Sequence, residues 1–378
     1  MKKLTLYILL VLSLLSALAG RTAIAAAPDS KRIVMVLSGY GKPDQQAPGY
    51  EFDEFAKAYL VFQAHGIEVD IASPQGGTVE ADKFDPAKPY NQQVLNDTAI
   101  MAKLHNTLST AQLKAGDYNG IFIVGGKGAM FDLPKDAALQ QLITAIYQQQ
   151  GSVAAVCHGP AALVNVTLAD GSYLLANKAV NGFTNEEELL FGKKWLAKFD
   201  FMLQDKLTER GGRFEHSPMM LSHVAVDNRL ITGQNPASTV ATAKALLQSL
   251  GINPLPMPPH QDDATLALVA ELLNGNITAE QLLAADADAD ADAAQYQLEL
   301  LGMYGYYYRG SADTAQALQH ALTLMQAGQS AINNPSLDMA VAQTQLKLGD
   351  KAAARATLQQ ILAAKPDFAA ATALLATL

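Results

Sequence analysis

The chain has 378 residues, a formal net charge of −9 at pH 7, 49% hydrophobic and 17% charged residues, and a single cysteine. Its length exceeds one average domain, and its composition is that of an ordinary globular protein. The acidic balance excludes the electrostatic footprint of a protein that binds nucleic acid or anionic membranes, and one cysteine excludes a disulfide within the chain.

The N-terminus has the pattern of a secretory signal peptide. Lys2-Lys3 is a short basic region, residues 4–19 are a mostly apolar run, and Ala23-Ile24-Ala25 is a small-x-small cleavage signal. The run is shorter than the ~20 residues that a membrane-spanning helix needs, so we predict cleavage after Ala25 and no stable membrane anchor. The mature protein is therefore expected to be exported, either to the periplasm or as a secreted protein.

The segment after the signal peptide has β-α-β order. Residues 32–38 form a continuous apolar run typical of a buried parallel strand, residues 51–65 show helical spacing, and residues 68–73 form a second strand. The same alternation continues with strand 120–124, helix 134–149, strand 153–156, strand 179–184, a helix from residue 185, hairpin 222–232 and helix 236–250. This order predicts an α/β fold with a doubly wound, mostly parallel sheet over residues 26–255.

Beyond this domain the composition changes. Residues 253–259 are rich in proline and residues 286–292 alternate Ala and Asp, so residues 256–292 are predicted to be a linker. Residues 293–378 are rich in Ala, Leu and Gln with helical periodicity, which predicts a small all-α extension.

Two stretches of the extension are similar to tetratricopeptide repeats, one around residues 306–310 and a better one from Pro335 onward. Two repeats are fewer than a free solenoid needs, so these helices are expected to pack against the main domain or a protein partner. A plain helical hairpin is the alternative. Because the extension holds no candidate site residue, deletion after Ala285 is expected to leave a folded, active core.

Cys157 stands at a sharp transition from strand to helix. Residues 153–156 are β-prone, Gly159-Pro160 breaks the strand, and residues 161–164 begin a helix. This is the cysteine counterpart of a nucleophile elbow. A helix N-terminus favours thiolate, so we predict a lowered thiol pKa and a nucleophilic role, with a buried structural cysteine as the alternative.

Candidate partners of Cys157 are predicted from the fold, because ligands bind where the carboxyl ends of parallel strands meet. His158 comes directly after the cysteine, Glu54 lies on the first helix, and Glu188 is a candidate to orient His158, although acids in the first turn of a helix are commonly structural. The backbone N–H groups of Gly126 and His158 are candidates for an oxyanion hole. The histidine and glycine spacings match no established metal or phosphate motif, so neither a metal nor a cofactor is predicted.

Four motifs in the same order resemble the ThiJ/PfpI superfamily, which has a class I glutamine amidotransferase-like, flavodoxin-like fold. They are GGKGAMFD at 125–132, AAVCHGP at 154–160, GFTNEEE at 182–188 and ITGQNPAS at 231–238. Within that superfamily they are most similar to the branch of heat-shock chaperones and glutathione-independent glyoxalase III enzymes.

The resemblance implies roles for the candidate residues. It makes Cys157 the nucleophile, places Glu54 against its sulfur, and makes Glu188 the third acid beside His158. The implied function is a cysteine-dependent lyase that converts methylglyoxal to lactate without glutathione. The alternatives are a holdase chaperone of the cell envelope and a cysteine peptidase of the PfpI type. The expected partners are a small carbonyl substrate, a second copy of the chain in a homodimer, and a protein bound by the helical extension.

Overall fold

The computed structural model describes residues 31–284 and 295–378. The predicted signal peptide and the Ala-Asp segment 286–292 lie outside the described residues. The strands are β1 (Arg32–Val36), β2 (Glu68–Ser73), β3 (Leu108–Ser109), β4 (Gly120–Ile123), β5 (Ser152–Val156), β6 (Ala179–Val180), β7 (Arg213–Phe214), β8 (Val224–Asp227) and β9 (Leu230–Gly233).

The helices alternate with these strands up to residue 249 and then succeed one another. They are α1 (Phe52–Ala64), α2 (Pro89–Leu95), α3 (Thr98–His105), α4 (Ala137–Gln148), α5 (Asn185–Phe191), α6 (Lys193–Leu196), α7 (Leu203–Glu209), α8 (Thr239–Ser249), α9 (Gln261–Leu273), α10 (Ala279–Ala284), α11 (Leu298–Tyr308), α12 (Ala315–Ile332), α13 (Pro335–Lys347), α14 (Lys351–Ala364) and α15 (Ala369–Leu375).

Seven strands form one sheet in the order β3-β2-β1-β4-β5-β9-β8. All neighbouring pairs are parallel except β8 and β9, which form the predicted antiparallel hairpin. The predicted fold class is therefore confirmed: a mostly parallel, flavodoxin-like sheet with flanking helices and an all-helical C-terminal region. The two remaining strands, β6 and β7, pair in a small separate sheet.

The strand register brings three loops to one edge of the sheet. Ile123 at the end of β4 pairs with Ala155 of β5, and Val156 of β5 pairs with Gly233 at the end of β9. The segments that begin just beyond these residues therefore leave the sheet side by side. β4 and β5 are wholly buried, as their continuous apolar sequences predict.

Helix α1 covers this part of the sheet. Its aromatic face packs inward, and the rings of Phe62 and Phe122 meet edge to face with centroids 5.5 Å apart. Gly66 ends the helix in the left-handed conformation, with φ of 67°, as expected for a C-terminal cap. Glu54 lies in the first turn of this helix and is fully buried.

The range predicted as a linker, 256–292, holds helices α9 and α10, so most of its described part is helical. Val269 and Leu272 of α9 are buried in one apolar cluster with Leu221 of the main domain and Tyr304 of α11. Burial of this face explains why the segment is helical, since packing supplies most of a helix's stability in a protein. The extension and the main domain therefore share a core.

Farther along, α13 and α14 are joined by a turn at Gly349, where φ is 86°. Paired helices occur in many all-α regions, so the tetratricopeptide interpretation stays a prediction. Within the two described ranges, no helix combines the length and the apolar character required to cross a membrane.

Candidate active site

Cys157 lies directly after β5 in a constrained turn. Its φ of 59° places a non-glycine residue in the left-handed region, at a cost of about 1–3 kcal/mol. Two backbone hydrogen bonds hold it there: its N–H donates to the Gly233 carbonyl at 2.9 Å, and its own carbonyl accepts from the Phe183 N–H at 2.9 Å. The side chain is buried, with 4% of the residue exposed. This is the geometry of a nucleophile elbow.

The structure brings His158 and Glu188 together beside this cysteine. The Cys157 Sγ lies 3.4 Å from His158 Nδ1, and His158 Nε2 lies 2.8 Å from Glu188 Oε2. Because an ionised carboxylate only accepts hydrogen bonds, we assign the ring proton to Nε2, which leaves Nδ1 free to accept from the thiol. The Phe183 ring lies 4.5 Å from the His158 ring and limits its movement.

Glu187, next to Glu188 in the chain, has different hydrogen-bond partners. Its carboxylate accepts hydrogen bonds from Thr184 in a capping box, from the Asn235 side chain and from the Met220 N–H. It therefore fixes the loops around the site, whereas Glu188 reaches the histidine. The sequence singles out Glu188 by its resemblance to the family, because three adjacent acids in a first turn are equivalent by local rules.

Glu54 lies against the cysteine because Gly125 has no side chain. A Cβ on Gly125 would lie 2.7 Å from Glu54 Oε2 and 2.8 Å from the Cys157 Cβ. Glu54 Oε2 instead accepts a hydrogen bond from the Gly125 N–H at 2.7 Å. Glu54 Oε1 is also buried, and the Glu54 carboxyl group lies within hydrogen-bonding reach of the Cys157 side chain.

This close packing also shifts the pKa values of Glu54 and Cys157. Burial, and then the charge of Glu51, raise the pKa of Glu54 well above its usual range. Burial, and then the charge of Glu54, raise the pKa of the Cys157 thiol well above that of an ordinary cysteine. The sequence-based prediction of a lowered Cys157 pKa is therefore wrong.

The physical reason is the short helix on the C-terminal side of Cys157. The predicted helix is a 3-10 helix of five residues, Gly159–Leu163, so little dipole is available to favour the thiolate. The dominant influences are burial and a carboxyl group about a hundred residues earlier in the chain, which no local pattern reveals. Both influences favour the neutral forms of the Cys157 thiol and the Glu54 carboxyl group.

The backbone groups predicted as an oxyanion hole line the same cavity. Gly126, with φ of 95°, and His158 both contribute to its wall. In the described part of the chain neither of their N–H groups has a hydrogen-bond partner. Lys127, next to Gly126, also lines the cavity and places a cation at the rim.

The cavity above Cys157 has a volume of about 250 Å³. Of the predicted residues, Cys157, His158 and Gly126 line it, whereas Glu54 and Glu188 lie behind its wall. The wall also includes Glu51, Phe191, Met220 and Leu266. Burial, and then the charge of Asp53, raise the pKa of Glu51 to about 7. Sequence reasoning missed Glu51, although its position three residues before Glu54 predicts that both face the same side of the chain.

The positions and neighbours of the histidines outside the site show whether they could bind a metal ion. His216 and His223 lie in loops, and His223 Nδ1 is 3.2 Å from Ser217 Oγ. Among the residues that the structure describes, no group of three or more His, Cys, Asp or Glu side chains is placed to hold a metal ion.

The chain belongs to the DJ-1/PfpI family, whose sequence profile matches residues 46–249. Among characterised relatives, the glutathione-independent glyoxalase hsp3101 of Schizosaccharomyces pombe is 32% identical over 244 residues, covering 59% of this chain and 96% of that protein. Glyoxalase 3 of Candida albicans is 27% identical and covers 59% of this chain and 99% of its own length.

Solved structures give the same assignment. The crystal structure of glyoxalase III from Candida albicans matches with a TM-score of 0.53 and 26% identity, covering 58% of this chain and 97% of that one. Rapid Encystment Protein 24 KDa of Francisella tularensis matches with a TM-score of 0.54 and 31% identity over 58% of this chain and 99% of its own. Helices α9–α15 lie beyond the end of the family match at residue 249.

Proposed function

We propose that the protein is a glutathione-independent glyoxalase that converts methylglyoxal to lactate through a thiol adduct on Cys157. The observation that carries the proposal is a single buried cluster at the floor of a small cavity. In it the Cys157 Sγ lies 3.4 Å from His158, which is bound to Glu188, while Glu54 lies against the other side of the cysteine. Relatives with about 30% identity that are named glutathione-independent glyoxalases support this choice.

The first step is addition of the thiol to the aldehyde carbon. His158 Nδ1 takes the thiol proton as the carbon–sulfur bond forms, so a raised thiol pKa does not prevent attack. The Gly126 and His158 N–H groups stabilise the negative charge that develops on the aldehyde oxygen. Return of the proton from His158 to that oxygen gives a neutral hemithioacetal.

The second step moves a proton between the two carbons. The carboxylate form of Glu54, in equilibrium with its protonated form, removes the proton from the former aldehyde carbon, which gives an enediolate, and returns that proton to the neighbouring carbon. The hydroxyl proton of the former aldehyde oxygen passes to the neighbouring oxygen in the same step. A raised pKa makes this carboxylate a stronger base. The product is a thioester of Cys157, which one water molecule hydrolyses to lactate and free thiol. Methylglyoxal and water are consumed, lactate is formed, and no oxidant or reductant is needed.

The cavity favours this chemistry over peptide hydrolysis. Its volume of about 250 Å³ lies below the ~300–1,000 Å³ of usual ligand pockets, and its walls include Phe183, Phe191 and Leu266. A peptide chain on both sides of a scissile bond needs an open cleft. A holdase chaperone would need an exposed apolar surface, and its activity would not depend on a cysteine.

The experiment is lactate formation from methylglyoxal without glutathione. Cys157→Ala is expected to abolish it, and Glu188→Gln to lower it by about 100-fold, because His158 loses its anionic partner. Glu186→Gln is the matched control, since that side chain is exposed. Casein cleavage lost in Cys157→Ala without any lactate formation would identify a peptidase, and suppression of aggregation retained in Cys157→Ala would identify a holdase.

The site of action proposed for this reaction is outside the cytoplasm. The support is the basic, apolar and small-x-small pattern of residues 1–25. N-terminal sequencing of the exported protein is expected to begin at Ala26, and a retained Met1 would contradict the proposal. We also propose a homodimer and a protein partner for the helical extension. Size-exclusion chromatography with light scattering measures the mass of the chain alone and of any complex it forms.

A further inference from the structure

Leu266 lies in the wall of the cavity that contains Cys157, and it comes from the C-terminal extension, which in the structure begins with α9 and runs to α15. It sits on α9, beyond the residues that match the DJ-1/PfpI family, and only 9% of it is exposed. The family profile ends at residue 249, before this helix begins, and 58–59% of this chain covers 96–98% of two similar glyoxalases. The cavity wall is thus completed by a part of the chain beyond the family profile.

Charged contacts fix the start of α9 against the helix that carries Glu54. Lys57, three residues after Glu54, is 3% exposed and its Nζ lies 3.0 Å from Asp262 and 2.6 Å from Asp263. Asp262 also accepts a hydrogen bond from Tyr90 at 2.8 Å. Buried charge pairs of this kind require a defined geometry, so the first turn of α9 has one position on α1.

Apolar contacts fix the rest of the helix. Val269 and Leu272 are buried with Leu221, which comes directly after the cavity-lining Met220. At a second point of the rim, the ring of Tyr307 on α11 meets the ring of cavity-lining Phe191 edge to face, with centroids 5.2 Å apart. The extension therefore both contributes one wall residue and supports two others.

We infer that the C-terminal extension forms the outer wall of the active-site pocket and that Leu266 determines the size of aldehyde that reaches Cys157. The inference rests on the proposed function. A short α-oxoaldehyde such as methylglyoxal fits beneath the leucine side chain, whereas an aromatic α-oxoaldehyde such as phenylglyoxal competes with it for space. Each methylene that a pocket lacks or adds changes discrimination measurably, by about tenfold or more.

The test compares kcat/KM for methylglyoxal and phenylglyoxal in the full-length protein. Leu266→Ala is expected to raise the phenylglyoxal-to-methylglyoxal ratio by about tenfold, and Leu266→Phe to lower it. Leu268→Ala is the matched control, because Leu268 packs in the same cluster on the same helix without lining the cavity. A ratio that is unchanged in both Leu266 variants, or shifted equally by Leu268→Ala, would overturn the inference.

Alkylation of Cys157 separates failure of this inference from failure of the proposed function. If the wild type forms no lactate, the proposed function fails. The role of Leu266 as a wall residue is then tested by the rates at which iodoacetamide and the bulkier N-phenylmaleimide alkylate Cys157. Leu266→Ala is expected to raise the ratio of the N-phenylmaleimide rate to the iodoacetamide rate by about tenfold. An unchanged ratio would refute the inference that Leu266 limits access to Cys157. Should Leu266→Ala not fold, as judged by circular dichroism, Leu266→Phe and its expected decrease decide the question.

Discussion

Cys157 owes its chemical state to residues that are remote in the sequence. Its neighbour His158 lies 3.4 Å from the sulfur, but Glu54 and Gly125 complete the surroundings. Burial and the Glu54 charge raise the pKa of the thiol, so its alkylation at pH 7 is expected to be slower than that of free cysteine. Reactivity toward an aldehyde then depends on His158 taking the proton during attack.

Gly125→Ala tests how closely Glu54 and Cys157 are packed. The new methyl group would lie within 2.8 Å of Glu54 Oε2, the Cys157 Cβ and the His158 N, and only the first can move aside easily. We expect a loss of about 1–3 kcal/mol in the free energy of unfolding and a fall of about 100-fold in turnover. Urea titration and lactate assays measure the two effects.

Gly116→Ala is the control for this substitution. A Cβ there meets no atom within 4 Å, and φ at Gly116 lies outside the left-handed region. Its turnover and stability should stay close to those of the wild type. Equal turnover in the Gly125 and Gly116 variants would show that Glu54 and Cys157 do not depend on this close approach.

Glu51→Gln tests the charge at the cavity rim. Because burial raises the pKa of Glu51 to about 7, the folded chain holds this proton more tightly than the unfolded chain, where the pKa is about 4.5. The stabilisation is complete below pH 4.5 and is lost as the pH rises through 7. At pH 8 the variant is therefore expected to be about 3 kcal/mol more stable than the wild type, with no difference at pH 4.

The same variant should change the cysteine. The Glu51 charge contributes to the raised pKa of Cys157, so its removal is expected to speed alkylation at pH 8. Glu271→Gln, at an exposed position on α9, is the control and should alter neither property. Parallel stability curves of Glu51→Gln and wild type between pH 4 and 8 would show that Glu51 keeps an ordinary pKa.

At the level of elements, the pairing of Lys57 with Asp262 and Asp263 joins α1 to α9. Lys57→Met removes the cation and leaves two carboxylates that are largely buried, so the free energy of unfolding is expected to fall by about 3 kcal/mol. The Lys206–Glu209 pair is the control, because Glu209 is 54% exposed, and Lys206→Met should cost less than about 1 kcal/mol.

Denaturant titrations of the two variants measure this difference. Adding Asp263→Asn to Lys57→Met should recover part of the loss, since one uncompensated charge is then removed. Equal losses for Lys57→Met and Lys206→Met would mean that the buried pairs do not hold α9 in place.

The sequence predicted the elements that its own patterns define. Continuous apolar runs such as 120–124 and 153–156 became buried central strands, and the hairpin before α8 is antiparallel as expected. Helix α9 was missed because it lies between a proline-rich stretch and the Ala-Asp segment, although Leu266, Val269 and Leu272 repeat at helical spacing. Tertiary contacts with Leu221 and Tyr304 decide its role, and those are not local properties.

For the molecule as a whole, the sequence predicted that deletion after Ala285 leaves an active core, whereas the packing predicts the opposite. Removal of residues 286–378 takes Leu301, Tyr304 and Leu324 away from Val269 and Leu272. We expect a protein with reduced cooperativity of unfolding and little turnover, because α9 loses its support beside the cavity.

A shorter deletion provides the comparison. Removal of residues 334–378 takes away α13–α15, whose buried residues belong to separate clusters away from the cavity. Turnover should remain within a few-fold of the wild type. Full activity in the longer deletion would show that the extension is dispensable, as the sequence alone suggested.

The central claim of the proposed mechanism is that Glu54 moves a proton between the two substrate carbons. Glu54→Gln keeps a hydrogen-bonding side chain of the same shape against Cys157 but has no proton to exchange. The most direct measurement is lactate formation from methylglyoxal by this variant, with iodoacetamide alkylation of Cys157 on the same sample. We predict turnover at least 100-fold below wild type, with the thiol still alkylated. Lactate formation at the wild-type rate would contradict the mechanism.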